Sequence, residues 1–183
     1  AEADLALGVY SIPDVSGLPL RTDAVAEIQQ TFGEHLVAIK VTESNYQQST
    51  RAFLSDGRLA DLKIVQGWDP FLADALQDNP DRCGVTSGPM SFAVLQYLHL
   101  LEAAQRKDWP EVHAAQAAVT HVFQSMQDDP GKFADLQRAK YIMGLGHPLL
   151  GEITPEQVER VFHALENLSR DEDKKRMTAS LNL

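Results

Sequence analysis

The sequence predicts an α/β protein in which four strand–helix units form a parallel sheet and a series of helices follows. Short apolar runs alternate with helical patterns over residues 1–108, and this alternation is typical of parallel sheets with right-handed crossovers. The run at 36–41 is continuously apolar apart from Lys40, as expected of a strand covered on both faces. After residue 108 only helical patterns occur. We therefore expect strand–helix units at 1–108 and packed helices at 109–183, within one structural domain.

Four apolar runs predict the strands. They cover residues 5–12, 36–41, 62–65 and 82–86. Because the carboxyl ends of parallel strands meet at one edge of a sheet, we expect the ligand site at that edge. The residues at these ends are 10–13, 40–42, 67–69 and 86–88.

Helical spacing and capping signals predict the helices. Residues 22–32 repeat apolar side chains at helical spacing, and Gly33 is expected to end that helix. Asp69 and Pro70 are expected to start another, with Asp as the N-cap and Pro in the first turn. Capping-box patterns begin at Asp108 and Thr154 and predict two further helix starts. The other helices are expected at about 48–54, 91–107 and 132–144.

Composition and charge argue against several classes of protein. The 183 residues include 26 acidic and 16 basic side chains, for a net charge of −10. No Lys/Arg cluster outside the C-terminal tail offers the basic face that nucleic acid requires, so we expect no nucleic-acid binding. No apolar run approaches the roughly 20 residues that span a bilayer, so we expect no membrane partner. The lone Cys83 excludes an internal disulfide framework, which favours a cytoplasmic location.

The histidines do not form a metal motif. Six occur, and none has the i, i+4 spacing with a central Glu that a helical zinc site uses. His99, His113 and His121 lie on predicted helices, where packing is the simpler interpretation. We expect no metal and no organic cofactor.

Lys40 and Tyr10 are the residues that could carry covalent chemistry. Lys40 ends an apolar strand, where loss of hydration favours the neutral amine that attacks a ketone to form a Schiff base. Tyr10 ends the neighbouring strand, so its phenol could relay protons to that amine. From position alone, a lysine that extends its amine into solvent and a packed tyrosine remain open alternatives.

These two residues and their flanks resemble the dihydrodipicolinate synthase/N-acetylneuraminate lyase family. Its members are Schiff-base pyruvate lyases and aldolases on a (β/α)8 barrel. The segment Val9-Tyr10-Ser11-Ile12-Pro13 is similar to the family's Tyr-Asn-x-Pro segment, and Ala38-Ile39-Lys40 to its Gly-x-Lys strand end. Gly67-Trp68-Asp69 and Gly84-Val85-Thr86-Ser87 look like strand ends of its substrate pocket.

The resemblance implies a role for each site residue. Lys40 is the imine-forming amine and Tyr10 the proton relay. The implied substrate-binding residues are Thr42, Gly67, Asp69, Thr86 and Ser87. Val15 stands where the family's synthases carry an Arg for the carboxylate of the aldehyde, so we expect a neutral or hydroxylated aldehyde instead.

The resemblance covers only the second half of the family's barrel. The 183 residues are fewer than the about 250 of a complete eight-unit barrel. No Gly-x-x-Gly-Glu-type segment for the pyruvoyl carboxylate occurs. We therefore expect the second half of a (β/α)8 TIM barrel, four strand–helix units followed by a C-terminal helical section, as part of a longer protein. The resemblance implies a homo-oligomer, a tetramer.

The expected function is a Schiff-base-forming lyase or aldolase. It would cleave or form a C–C bond in a 2-oxo acid, with pyruvate and an aldehyde as the small-molecule partners. A dehydratase that uses the same imine is one alternative. A non-catalytic half-barrel fragment or interaction module is the other.

Overall fold

The structure is a computed structural model that describes residues 5–127, 143 and 154–168. The chain divides into two compact units, Ala1–Thr86 and Ser87–Leu183. The predicted domain boundary at residue 108 stays a prediction. The helix expected at 132–144 lies outside the described residues, apart from the single position 143.

A four-stranded parallel sheet forms the centre of the first unit. The strands are neighbours in chain order, and they are β1 Leu7–Ser11, β2 Leu36–Val41, β3 Lys63–Gln66 and β4 Cys83–Val85. The predicted α/β class and the four parallel strands are confirmed. Each observed strand lies within two residues of its predicted ends. The small differences arise because a strand extends only as far as its neighbour offers hydrogen-bond partners.

Helices connect successive strands of the sheet. They are α1 Pro13–Ser16, α2 Thr22–Phe32, α3 Thr50–Ser55 and α4 Leu72–Asp78. The helix α2 has its predicted bounds, and Gly33 follows it with a φ of +57°, a backbone region that favours glycine. The short α1 is absent from the sequence-based prediction, because a single turn is too short to show a periodic pattern.

The helix start expected at Asp69 and Pro70 is wrong in detail. Asp69–Phe71 is a 3₁₀ turn, and α4 begins at Leu72. The amide of Phe71 donates to the carbonyl of Trp68, and that of Leu72 to the carbonyl of Asp69. These i to i+3 bonds tighten the first turn, as is common at helix N-termini.

The core of the first unit lies between one face of the sheet and the helices. Residues that pair across a parallel sheet share a face, and successive residues alternate. Ile39 pairs with Ile64, and both are fully buried. Val25 of α2 and Phe53 of α3 pack in the same cluster. Burial of each such side chain contributes about 1.5–3 kcal/mol. The opposite face carries the row Tyr10, Lys40, Val65 and Gly84.

The described part of the second unit is helical. Its helices are α5 Val94–Gln105, α6 Trp109–Ser125 and α7 Pro155–Leu168, with α6 in contact with the other two. The helix expected from residue 91 begins at 94, because Pro89–Ser91 forms a 3₁₀ turn. None of the helices in the described ranges has both the length and the apolar character that crossing a bilayer requires.

Two predicted helix caps in the second unit are confirmed. The side chain of Asp108 accepts from the amide of Glu111. Thr154 and Gln157 exchange both hydrogen bonds of a capping box, at 3.0 and 3.3 Å. These bonds satisfy amides that the first turn of a helix leaves without intrahelical partners.

Candidate active site

Tyr10 and Lys40 lie directly opposite each other at the carboxyl ends of β1 and β2. The register of the parallel pair joins them, although 30 positions separate them in the chain. The Nζ atom of Lys40 lies 4.4 Å from the centroid of the Tyr10 ring. An ammonium over an aromatic face is held there by the quadrupole of the ring. The contact therefore fixes the lysine head at the strand edge.

The hydroxyl of Tyr10 contacts Thr42 rather than the amine. Tyr10 Oη and Thr42 Oγ1 share a hydrogen bond of 3.1 Å. Tyr10 is 43% exposed, so a ligand can reach it from solvent. The amine, the phenol and a second hydroxyl are thus assembled on one face of the sheet.

Gly67 follows β3 directly and lies against these side chains. Its amide donates to the carbonyl of Val41 at 2.7 Å. A Cβ added at Gly67 would overlap Thr42 Oγ1 and would lie 3.0 Å from Lys40 Cε. A larger residue at this position would therefore displace the Thr42 hydroxyl beside the lysine stem. The structure therefore brings together four of the predicted site residues, which are Tyr10, Lys40, Thr42 and Gly67.

Asp69 and Thr86 mark the ends of the next two strands. Asp69 is 2% exposed and opens the 3₁₀ turn after β3. The amide of Thr86 donates to the carbonyl of Gln66 at 2.9 Å, which extends the β3–β4 ladder by one bond. Both residues lie at the carboxyl edge of the sheet, as predicted. Their contact with a substrate stays a prediction.

Ser87 belongs to the second unit and has partners there. Its hydroxyl donates to the hydroxyl of Tyr97 at 2.9 Å and accepts from the amide of Met90 at 3.3 Å. Its role as a substrate contact stays a prediction.

Glu43 is a residue of this region that no sequence motif indicated. This residue follows Thr42 directly and is 8% exposed, and its Oε1 accepts a hydrogen bond of 2.5 Å from the hydroxyl of Ser11. The available signal was an acidic residue immediately after an apolar strand, next to a predicted site residue. Such a residue is more often solvated than buried, so the pattern alone did not favour it.

A polar network holds the loop between β2 and α3. Arg51 donates to both oxygens of Asp78, at 2.9 Å each, and Tyr46 donates to Asp78 at 2.7 Å. The hydrogen bond from Arg51 lowers the pKa of Asp78. Burial raises the pKa of Tyr46. The loop that leaves the lysine strand is therefore tied to α4 by charge-assisted bonds.

No arrangement of residues in the described ranges suits a metal. Within them, no group of three or more His, Cys, Asp or Glu side chains could hold an ion. Cys83 is half-buried, and burial raises the pKa of its thiol to about 12. The thiol is therefore neutral and weakly nucleophilic at neutral pH.

Fold and site together define an α/β protein that presents a lysine amine and a tyrosine at the carboxyl edge of a parallel sheet. No protein-family model matches the sequence, and no curated protein matches it either. Solved structures do match, among them structures of dihydrodipicolinate synthase and of N-acetylneuraminate lyase.

The chain is similar to dihydrodipicolinate synthase from Bacillus anthracis, with a TM-score of 0.74 at 17% identity over 91% of this chain and 56% of that one. A prophage protein of the dihydrodipicolinic acid synthase family from E. coli K12, in complex with pyruvate, gives 0.76 at 18%, over 91% and 57%. A catalytic lysine mutant of sialic acid aldolase from Ruminococcus gnavus gives 0.72 at 18%, over 94% and 56%.

The TM-scores establish a shared fold. The likeness to the dihydrodipicolinate synthase and sialic acid lyase structures, expected from the sequence motifs, is confirmed at that level. The chain spans a little over half the length of the structures that it matches. It thus has the fold of part of these barrels.

Proposed function

We propose that this chain carries the imine-forming site of a Schiff-base lyase or aldolase acting on a 2-oxo acid. Lys40 supplies the amine and Tyr10 the proton relay. Pyruvate is the donor or the product, and an aldehyde is the second partner. Thr42, Asp69 and Thr86 contact the variable part of the substrate. The protein works in the cytoplasm as a homo-oligomer, and it needs neither a metal nor an organic cofactor.

The contact of Lys40 Nζ with the Tyr10 ring, beside the Tyr10–Thr42 hydrogen bond, carries this proposal. Schiff-base formation requires an amine that a carbonyl substrate can reach, and a proton donor beside the amine accelerates it. Two solved structures of the same fold support the chemistry. One, from E. coli K12, holds pyruvate, and another, from Ruminococcus gnavus, is described by its catalytic lysine.

The reaction begins when the uncharged amine of Lys40 attacks the C2 carbonyl of the 2-oxo acid. The carbinolamine loses water and becomes a protonated imine. In the cleavage direction a proton leaves the C4 hydroxyl, the C3–C4 electron pair moves toward the imine nitrogen, and the aldehyde departs. The enamine is then protonated at C3, and water releases pyruvate and the free amine. The hydroxyl of Tyr10 carries protons at the carbinolamine and at the C4 hydroxyl.

Reductive trapping tests this proposal. The chain is incubated with pyruvate and sodium borohydride, and modified peptides are located by mass spectrometry. We expect a reduced pyruvate adduct on Lys40 in the wild type and none in Lys40→Ala or Lys40→Arg, because a guanidinium stays protonated and cannot form the imine. An adduct spread over several lysines, or none at all, would refute the assignment of Lys40.

Lys63 provides the matched control. It lies on the adjacent strand β3, is exposed, and donates from Nζ to the carbonyl of Asp81 at 2.9 Å. Lys63→Ala should leave the adduct on Lys40 unchanged. Equal loss of the adduct in Lys40→Ala and Lys63→Ala would mean that the substitutions had damaged the sheet rather than removed the reactive amine.

Product analysis separates the alternatives within and outside the enzyme class. A lyase releases an aldehyde together with pyruvate from a 4-hydroxy-2-oxo acid. A dehydratase loses water from the same imine and retains the carbon chain. A non-catalytic interaction module gives neither product and no Lys40 adduct.

A further inference from the structure

A second side-chain bond joins the ends of β1 and β2 behind the candidate site. The hydroxyl of Ser11 donates to Glu43 Oε1 at 2.5 Å and accepts from the amide of Leu20 at 2.9 Å. Ser11 is 1% exposed and Glu43 is 8% exposed. A buried carboxylate loses much of its hydration, so a charge-assisted bond is needed to offset that cost.

The bond lies one residue from the site on each strand. Ser11 follows Tyr10, and Glu43 follows Thr42. The backbone joins the same strand ends, since the amide of Thr42 donates to the carbonyl of Ser11 at 2.9 Å. Tyr10 and Ser11 are successive residues of β1, so their side chains face opposite sides of the strand. The Tyr10–Thr42 bond and the Ser11–Glu43 bond therefore leave β1 on opposite faces.

The anchoring matters because β1 is the edge strand of the described sheet. It pairs with β2 alone within that sheet, so the end that carries Tyr10 is held from one side. Ends of edge strands open more readily than strands paired on both sides. An opened end would withdraw the Tyr10 ring from Lys40.

We propose that Glu43 is a positioning residue that acts through Ser11 to hold the Tyr10 ring against Lys40, an inference that rests on the proposed Schiff-base function. The side-chain bond of Glu43 is to Ser11. Its carboxylate fixes Ser11, and the backbone of Ser11 carries the adjacent Tyr10. Displacement of a reacting group by about 1 Å can cost about 10²-fold in rate, so a loose strand end is enough to impair the site.

Amide hydrogen exchange on the full chain tests the anchoring without any activity. In Glu43→Ala we expect the Thr42 amide to exchange about tenfold to a hundredfold faster, the range for loss of a hydrogen bond to a charged group. The Gly67 amide, which links the ends of β2 and β3, serves as the matched reference and should not change. Glu43→Gln keeps an acceptor for Ser11 and should restore most of the protection.

Two further variants keep this experiment decisive. Glu34→Ala removes an exposed acidic residue from the same unit and controls for the change of charge. If Glu43→Ala fails to fold, Ser11→Ala removes the same bond from the other side. Unchanged exchange at Thr42, or an equal increase at Thr42 and Gly67, would overturn the inference.

Borohydride trapping with pyruvate then measures the effect on the site. We expect Glu43→Ala to lower the maximal trapping rate at Lys40 about tenfold or more, with the half-saturating pyruvate concentration unchanged. In a Tyr10→Ala background the same substitution should have no further effect, because the ring that Glu43 positions is gone. If Glu43→Ala lowers the trapping rate equally in the wild type and in Tyr10→Ala, positioning through Tyr10 is contradicted.

The outcomes of the two proposals are distinguishable. If the wild type gives no adduct on Lys40, the proposed function fails, and exchange at Thr42 still decides whether Glu43 anchors the strand end. If the wild type gives the adduct and Glu43→Ala traps pyruvate equally fast, only the positioning role fails.

Discussion

Tyr10 makes two separate contacts, one through its ring and one through its hydroxyl, and a substitution can remove one and keep the other. Its ring contacts Lys40 Nζ, and its hydroxyl bonds Thr42 Oγ1. Tyr10→Phe keeps the ring and removes the hydroxyl. We expect the variant to trap pyruvate on Lys40, but to turn over about 10²–10⁴-fold more slowly, the usual worth of a proton relay.

The matched control for this variant is Thr42→Val. It removes the partner of the phenol and leaves the phenol itself in place, so its turnover should fall less than that of Tyr10→Phe. Steady-state kinetics and trapping on the same preparations compare the two. Unchanged turnover in Tyr10→Phe would refute the relay.

Gly67 is a residue at which a single methyl group should disable the site. In Gly67→Ala the new Cβ would meet Thr42 Oγ1 and Lys40 Cε, so one of them must move. We expect trapping on Lys40 to fall about tenfold or more, since displacement of a reacting group by about 1 Å can cost about 10²-fold. Gly57→Ala is the control, because a Cβ there meets nothing within 4 Å. Equal trapping in both variants would show that the lysine stem tolerates the methyl group.

At the scale of elements, the strands could be predicted and some short turns could not. The run at 36–41 is apolar apart from Lys40 and predicted the strand β2, but its expected coverage on both faces is incomplete, because Val37 is 44% exposed. The turn of α1 and the 3₁₀ turn at Asp69–Phe71 each depend on a few local backbone bonds. A segment of three or four residues is too short to show a periodic apolar pattern in the sequence.

The cap of α6 is an element whose contribution can be measured. The side chain of Asp108 accepts from the amide of Glu111 at the start of this 17-residue helix. Asp108→Ala should lower the free energy of unfolding by about 1 kcal/mol, the typical value for an N-cap. Asp108→Asn keeps a capping oxygen and should retain most of the stability. Urea unfolding followed by circular dichroism gives both values, and an unchanged Asp108→Ala midpoint would contradict the capping role.

At the scale of the molecule, the sequence predicted the neighbouring positions of Lys40 and Tyr10 better than the residues that support them. Lys40 and Tyr10 could be predicted because strand order alone brings their strand ends together. Glu43 could not, because its burial depends on a bond to Ser11 that forms only when the register of β1 and β2 is set. Ser87 is the opposite case. Its motif follows a predicted strand end and predicted a substrate contact, whereas in the structure its hydroxyl bonds within the second unit.

The edge strand β1 leads to a prediction about association of the chain with itself. Apolar side chains are exposed at and before β1, with Leu5 64% and Leu7 38% exposed. An exposed apolar edge strand readily pairs with another chain, so we expect the isolated chain to self-associate. Changing both leucines to lysine places charge on that edge and should shift the chain toward monomer. Leu18→Lys is the control, because Leu18 is 77% exposed but lies outside the sheet. Sedimentation velocity over a range of concentrations measures the effect, and a wild-type chain that stays monomeric throughout would show that this edge is protected without a partner.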